Sequence, residues 1–182
     1  MENTEILKSL KEFKGLVLRA DLVSFMEVKD KYYRMKGFTE LPRSKEVQEY
    51  SRQYVDEYSE RTSSVGMTET IDYTFDKYKD NPVHERIIEI TDKELLADDA
   101  TVNIVVVDFS KDLGGGKFYA RKRNYTVVPD TDGDGTEAYQ YSGSFTANGK
   151  SIEGYITASE DSSDILTIEF KDGEVTEEGT GV

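Results

Sequence analysis

Alternation of apolar and polar residues is the dominant pattern along this chain. In "MTETIDYTFDKY" (67–78), Ile71, Tyr73 and Phe75 interleave with Thr70, Asp72, Thr74 and Asp76, the two-residue period of a half-buried strand. "GLVLRADLVSFMEV" (15–28) reads as a strand, Lys29-Asp30 as a turn, and "KYYRMKGF" (31–38) as the returning strand of a hairpin. Further strands are predicted at "TVNIVVVDF" (101–109), "KFYARKRNYTVV" (117–128), "EAYQYSGSFTA" (137–147), "KSIEGYITA" (150–158) and "DILTIEF" (164–170). Turns between them are marked by Gly114–Gly116, by "DTDGDGTE" (130–137), by Asn148-Gly149 and by "SEDSSD" (159–164).

The clearest helix signal is "DNPVHERIIEITDKELL" (80–96). Asp80 or Asn81 can cap it, Pro82 suits the first turn, and Val83, Ile87 and Ile90 or Thr91 share a face. The helix is placed at about 81–92. At residues 4–14 the spacing of Ile6, Leu10 and Phe13 fits a short amphipathic helix and fits a terminal arm equally well. Residues 39–64 also leave two readings open. Val47, Tyr50, Tyr54 and Tyr58 fall at helical intervals, yet the apolar stripe is thin, and an excursion projecting over 39–66 fits the polar remainder. The pattern predicts a mainly β fold of seven or eight antiparallel strands, a β-sandwich or partly closed barrel, with one flanking α-helix. It forms one domain over 15–170, with residues 1–14 as an arm and 171–182 as a mobile, polar tail.

Composition narrows the functional classes. Among 182 residues, 37 acids outnumber 23 bases, for a net charge of −14, and such a surface repels phosphate backbones. Eight Phe and twelve Tyr supply core area and argue against disorder. The absence of cysteine excludes disulfides, thiol catalysis and Cys-ligated zinc. No apolar run reaches the length of a helical membrane span, and the charged start "MENTEILKSLKEFKG" lacks the apolar centre of a signal peptide. A cytoplasmic site of synthesis is therefore expected.

A search for chemistry leaves little. His84 is the sole histidine, stands beside charged neighbours in the first helical turn, and is expected to face solvent or the domain boundary. No Gly-x-Ser-x-Gly occurs, and "GGGK" (114–117) precedes a strand where a phosphate-binding loop needs a helix. The alternating cations and aromatics of "KFYARKRNY" (117–125) suit nucleic acid or, given the net charge, the contacts of an acidic assembly. Asp130, Asp132, Asp134 and Gly135 match loop positions 1, 3, 5 and 6 of an EF-hand. Position 12 is Tyr141 rather than a bidentate Glu, and strands flank the loop, so a hairpin turn is the expectation and calcium binding the alternative. No catalytic residue, cofactor site or firm metal site is assigned.

The segment "YYRMKGFTELPRSKEVQEYSRQYVDEYSERTSSVGMTETIDYTFDKYKDNPVHERIIEITDKELLADDA" (32–100) resembles the tail tube, or major tail, proteins of long-tailed bacteriophages and prophages. The shared order is a hairpin ending at Gly-Phe-Thr, a polar segment like "EYSRQYVDE", and a strand starting near a Gly. An Asn-Pro-Val helix start and Ile-Thr-Asp before a further strand complete it. The resemblance implies a non-enzymatic virion subunit that self-assembles into stacked hexameric rings around a DNA channel. It implies tape measure, terminator and distal tail proteins as partners, DNA passing without specific binding, and no membrane insertion. Inner-tube proteins of contractile tails and injection machines share that fold. On this reading Tyr50, Tyr54 and Tyr58 are assembly contacts; a calcium-dependent binding module using the Asp130–Asp134 loop is the rival.

Overall fold

A computed structural model describes residues 17–133, 137–157 and 167–173. The arm at 1–14, Asp134 and the whole "SEDSSD" turn lie outside them. Ten strands follow in order: β1 Leu22–Val28, β2 Lys31–Arg34, β3 Phe38–Glu40, β4 Arg43–Arg52 and β5 Arg61–Asp76 precede the helix α1 Pro82–Asp92. After it come β6 Thr101–Gly114, β7 Lys117–Asp132, β8 Gln140–Thr157, β9 Thr167–Ile168 and β10 Phe170–Asp172.

All strand pairings are antiparallel, in the order β3-β5-β8-β7-β6-β1-β2-β9. The sheet curls into a half-barrel, because the last segment joins strands from its two sides. Ile168 of β9 pairs with Tyr32 of β2, and Phe170 of β10 pairs with Ile156 of β8. Gly154 makes room for that closure, since a Cβ there would stand 2.2 Å from the Lys171 carbonyl oxygen. β10 therefore takes up Lys171 and Asp172, the first two residues of the expected tail.

Strict alternation gives the sheet two faces, each with its own core. On one, Ile71, Tyr73, Phe75, Ile104, Tyr125 and Phe145 pack under Val83, Ile87 and Ile90 of α1. Inside the curl, Val23, Phe25, Val105, Val107, Ala120 and Ile156 meet Ile168.

The structure decides between the two readings of residues 39–64 and corrects two further expectations. Residues 39–64 form no helix: β4 and β5 pair from Arg43↔Ile71 to Arg52↔Arg61, and Ser51 and Thr62 hydroxyls meet across them at 2.8 Å. A helix there has too narrow an apolar stripe to bury, whereas a ribbon satisfies the backbone against an already strand-forming β5. Asn148-Gly149 is no turn either. β8 runs through it for 18 residues, and Gly149 at φ +65° supplies an irregularity opposite β7, between Lys122 and Asn124. Arg123 donates to the Gly149 carbonyl from Nε (3.1 Å) and Nη2 (2.8 Å), pinning the kink to the neighbouring strand.

The second correction is His84, which has no exposed surface at all. Its ring stacks on Phe75 at 4.3 Å and meets Phe38 edge-on at 5.4 Å. The Asn81 carboxamide oxygen caps α1 by accepting from the Val83 and His84 amides, which turns the first helical turn toward the sheet. Position 84 lies one turn before Ile87 and so shares its buried face.

Candidate functional site

No enzymatic constellation forms around His84. The Tyr78 amide donates to its Nδ1 (3.3 Å), so Nε2 carries the proton and donates to the Lys36 carbonyl (2.8 Å). Burial lowers its pKa, against the opposing influence of the Lys36 carbonyl and Asp76. The folded state therefore holds a neutral ring while the unfolded chain takes up a proton below about pH 6.5. Stability contributed here is complete above that pH and falls as pH drops toward the folded pKa. His84→Gln is expected to cost about 2 kcal/mol at pH 8, and the gap from wild type should narrow below about pH 6.5. Urea denaturation from pH 8 to 5 checks this, and a constant gap would contradict it.

The acidic turn is divided among different roles. Tyr139 donates its hydroxyl to Asp132 Oδ2 at 2.8 Å, and Asp130 is exposed at the end of β7. Tyr141, at the twelfth position, belongs to the core and stacks on Phe75 at 5.5 Å. Gly114–Gly116 carries the β6–β7 hairpin with three positive φ angles. In the basic stretch, Lys122 lies 3.5 Å from Glu27 and Arg123 3.7 Å from Glu69, so these two cations have partners within the chain.

Two surfaces of the described residues stand out, a sheet face and a ribbon. Opposite the α1-covered face, the alternate residues of β4, β5, β8, β7 and β6 form polar rows. One row is Ser44–Thr70–Thr146–Thr126–Thr101 across five strands. Beside it run Asp72–Ser144–Val128 and Thr74–Ser142–Thr131, the last two joined through their hydroxyls at 2.6 Å. On the other side Asn148 donates to Asn124 (3.1 Å), Asn124 to Asn103 (3.0 Å) and Asn103 to Glu27 (2.8 Å). These rows hold hydroxyls, amides and carboxylates, and neither Lys nor Arg. Single-sequence reading missed them because Thr and Ser on separate strands become a surface only through the register.

The ribbon is the part of the β4–β5 hairpin outside the main sheet. β5 pairs with β8 only from Thr70 onward, so among the described residues β4 is the only strand paired with 61–69. Two-stranded ribbons are marginal in water, and this one exposes apolar side chains along its length. Tyr50 and Tyr54 are half exposed, and Tyr58 and Val55 at the tip are fully so. The structure thus brings Tyr50, Tyr54 and Tyr58 onto one projecting element.

Glu69 anchors the root of the ribbon. It is 6% exposed and accepts a hydrogen bond from the Tyr125 hydroxyl of β7. Arg43 Nε, Lys45 Nζ and Arg123 Nη1 surround it at 3.7, 3.6 and 3.7 Å. Burial pushes this carboxyl upward, but the Tyr125 hydrogen bond and the three cations outweigh it and hold the pKa below the usual range.

Neither a protein-family model nor a curated protein matches this sequence. Solved structures do. A chain in the virion of a native gene transfer agent particle aligns with a TM-score of 0.53 at 11% identity, over 74% of this chain and 95% of that one. A chain in the tail of an empty gene transfer agent particle, a structure with C6 symmetry, aligns with a TM-score of 0.52 at 13% identity, over 74% and 96%. At these identities the likeness is one of fold.

Proposed function

We propose that this chain is a structural subunit of a phage-type tail tube, assembling into stacked hexameric rings whose channel lets DNA pass. The observation that carries this reading is the polar face of β5, β8 and β7, whose hydroxyl rows contain neither Lys nor Arg, the Lys122 ammonium beyond Asn124 being paired with Glu27. Hydroxyls and amides keep a channel wall hydrated, while Asp72 and its neighbours repel the phosphate backbone, and only charges within about 8 Å of the DNA matter at physiological salt. A fold shared with a chain of a six-fold symmetric tail supports the same conclusion. The inner tube of a contractile tail or related injection machine satisfies the same physics. Tape measure, terminator and distal tail proteins are the partners this role implies, and the virion is its location.

Negative-stain microscopy of concentrated protein tests the proposal directly, with hollow tubes or rings expected and a persistent monomer contradicting it. Tubes carrying Thr126→Lys and Ser144→Lys should retain added DNA in a steeply salt-dependent way, while wild-type tubes release it. Equal retention by both would remove the polar face from the channel.

The ribbon supplies contacts between subunits in this reading. Replacing residues 49–65 with Asn-Gly keeps the Arg43–Gln48 pairing and offers a two-residue hairpin turn. Folding stability should change by no more than about 1 kcal/mol, and tube formation should be lost. Tubes of unchanged yield would exclude the ribbon from assembly.

A further inference from the structure

The two ends of the ribbon differ in character. At the tip, Tyr54, Val55 and Tyr58 are exposed beside Asp56 and Glu60, while the nearby Glu57 is bonded to Arg61. At the root, the cross-strand pair Val47–Met67 is about half exposed, on the same ribbon face as Arg43, Lys45 and Glu69. Three cations share the single Glu69 carboxylate there, a local excess of two positive charges in a chain of net charge −14. Among the described residues, Arg43 Nε is buried without a hydrogen-bond acceptor, and Lys45, nearly half exposed, has only the 3.6 Å approach to Glu69. The root therefore offers an apolar step flanked by unsaturated cations, and the tip offers apolar side chains flanked by carboxylates.

The two surfaces cannot meet within one chain. Eight strand residues separate Lys45 from the start of the tip, about 26 Å at ~3.3 Å per residue. We infer that the ribbon tip of one copy seats on the ribbon root of a second copy. Val55 and Tyr58 cover the Val47–Met67 pair, and Asp56 or Glu60 neutralises Lys45 and its neighbouring guanidinium. Donor and acceptor surfaces do not overlap, so the contact is heterologous and every copy both gives and receives. It propagates around a ring or along a stack. This inference rests on the tail-tube reading and adds to it the acceptor for the ribbon.

Carbodiimide coupling of the wild-type protein under assembly conditions tests it without any substitution. Mass spectrometry should find Lys45 joined to Asp56 or Glu60, a link that the span above makes intermolecular. The chain has no cysteine, so Val47→Cys with Val55→Cys gives an independent readout. On oxidation the double variant should form a ladder of covalent oligomers, whereas either single variant stops at dimers. Tubes that form with neither the Lys45 links nor the ladder overturn the inference and leave the tail-tube reading standing. A protein that forms no tubes or rings at all overturns both.

Discussion

Glu69→Ala is expected to destabilise the protein by about 3 kcal/mol and to release the ribbon from the body of the sheet. The side chain is nearly buried, and its removal leaves the Tyr125 hydroxyl without its acceptor and three cations gathered around nothing. Breaking a buried ionic cluster from one side typically costs about 3–5 kcal/mol, and the partial exposure of Lys45 and Arg123 places this case at the lower end. The loss should be local first. Hydrogen exchange of the 61–69 amides should accelerate more than that of 71–75, which are paired with β8 on one side and flanked by β4 and β3 on the other. Because the folded carboxyl titrates below its unfolded value, its contribution is complete above about pH 4.5 and disappears as pH falls through the folded pKa. Wild type and Glu69→Ala should therefore converge in acid. Uniform acceleration across the whole sheet would show that Glu69 supports the body rather than the ribbon.

Phe75→Ala should cost more, about 4 kcal/mol, through the cavity it opens. Phe75 is fully buried between His84 (4.3 Å), Phe38 (5.2 Å) and Tyr141 (5.5 Å), so one ring joins α1, β3 and β8. The aromatic contacts add to its area burial, and no flexible neighbour stands ready to fill the space. Thermal or urea unfolding should show a large fall in midpoint, with near-ultraviolet dichroism weakened before helix content is lost. A cost under about 1 kcal/mol would mean that the helix packs independently of this ring.

The two effects separate the body of the molecule from its projection. Phe75 lies where β5 is enclosed by strands on both sides and by the helix above, and its loss unfolds the domain. Glu69 lies six residues earlier on the same strand, where β5 leaves the sheet, and its loss frees the projecting ribbon. The larger of the two expected costs therefore falls in the body of the sheet, away from the projecting ribbon.

Much of the architecture was legible from spacing alone. The alternation of Ile71, Tyr73 and Phe75 against Thr70, Asp72 and Thr74 assigned both the strand and its buried face, since a strand's side-chain period is independent of its partner. Asn81, Pro82, Val83, Ile87 and Ile90 likewise placed the helix to within a residue, because capping and face are local properties. Elements whose state depends on a distant partner were ambiguous or misread. Val47, Tyr50 and Tyr54 carry helical spacing, and only pairing with β5 makes them a strand. Asn148-Gly149 suits a turn equally with an in-strand kink, and the length of β7 beside it decides for the kink.

The candidate surfaces were the least visible in the sequence. Tyr50, Tyr54 and Tyr58 could be picked out as exposed aromatics, but nothing local places Lys45 and Arg123, 78 positions apart, around Glu69. The hydroxyl row from Ser44 to Thr101 likewise comes from register across five strands. By itself, the sequence determined which residues of strands such as β5 turn inward, the glycine turn at 114–116 and how negative the molecule is. The tertiary structure alone decided which polar residues stand side by side, because long-range pairing is set by the packing of the whole sheet.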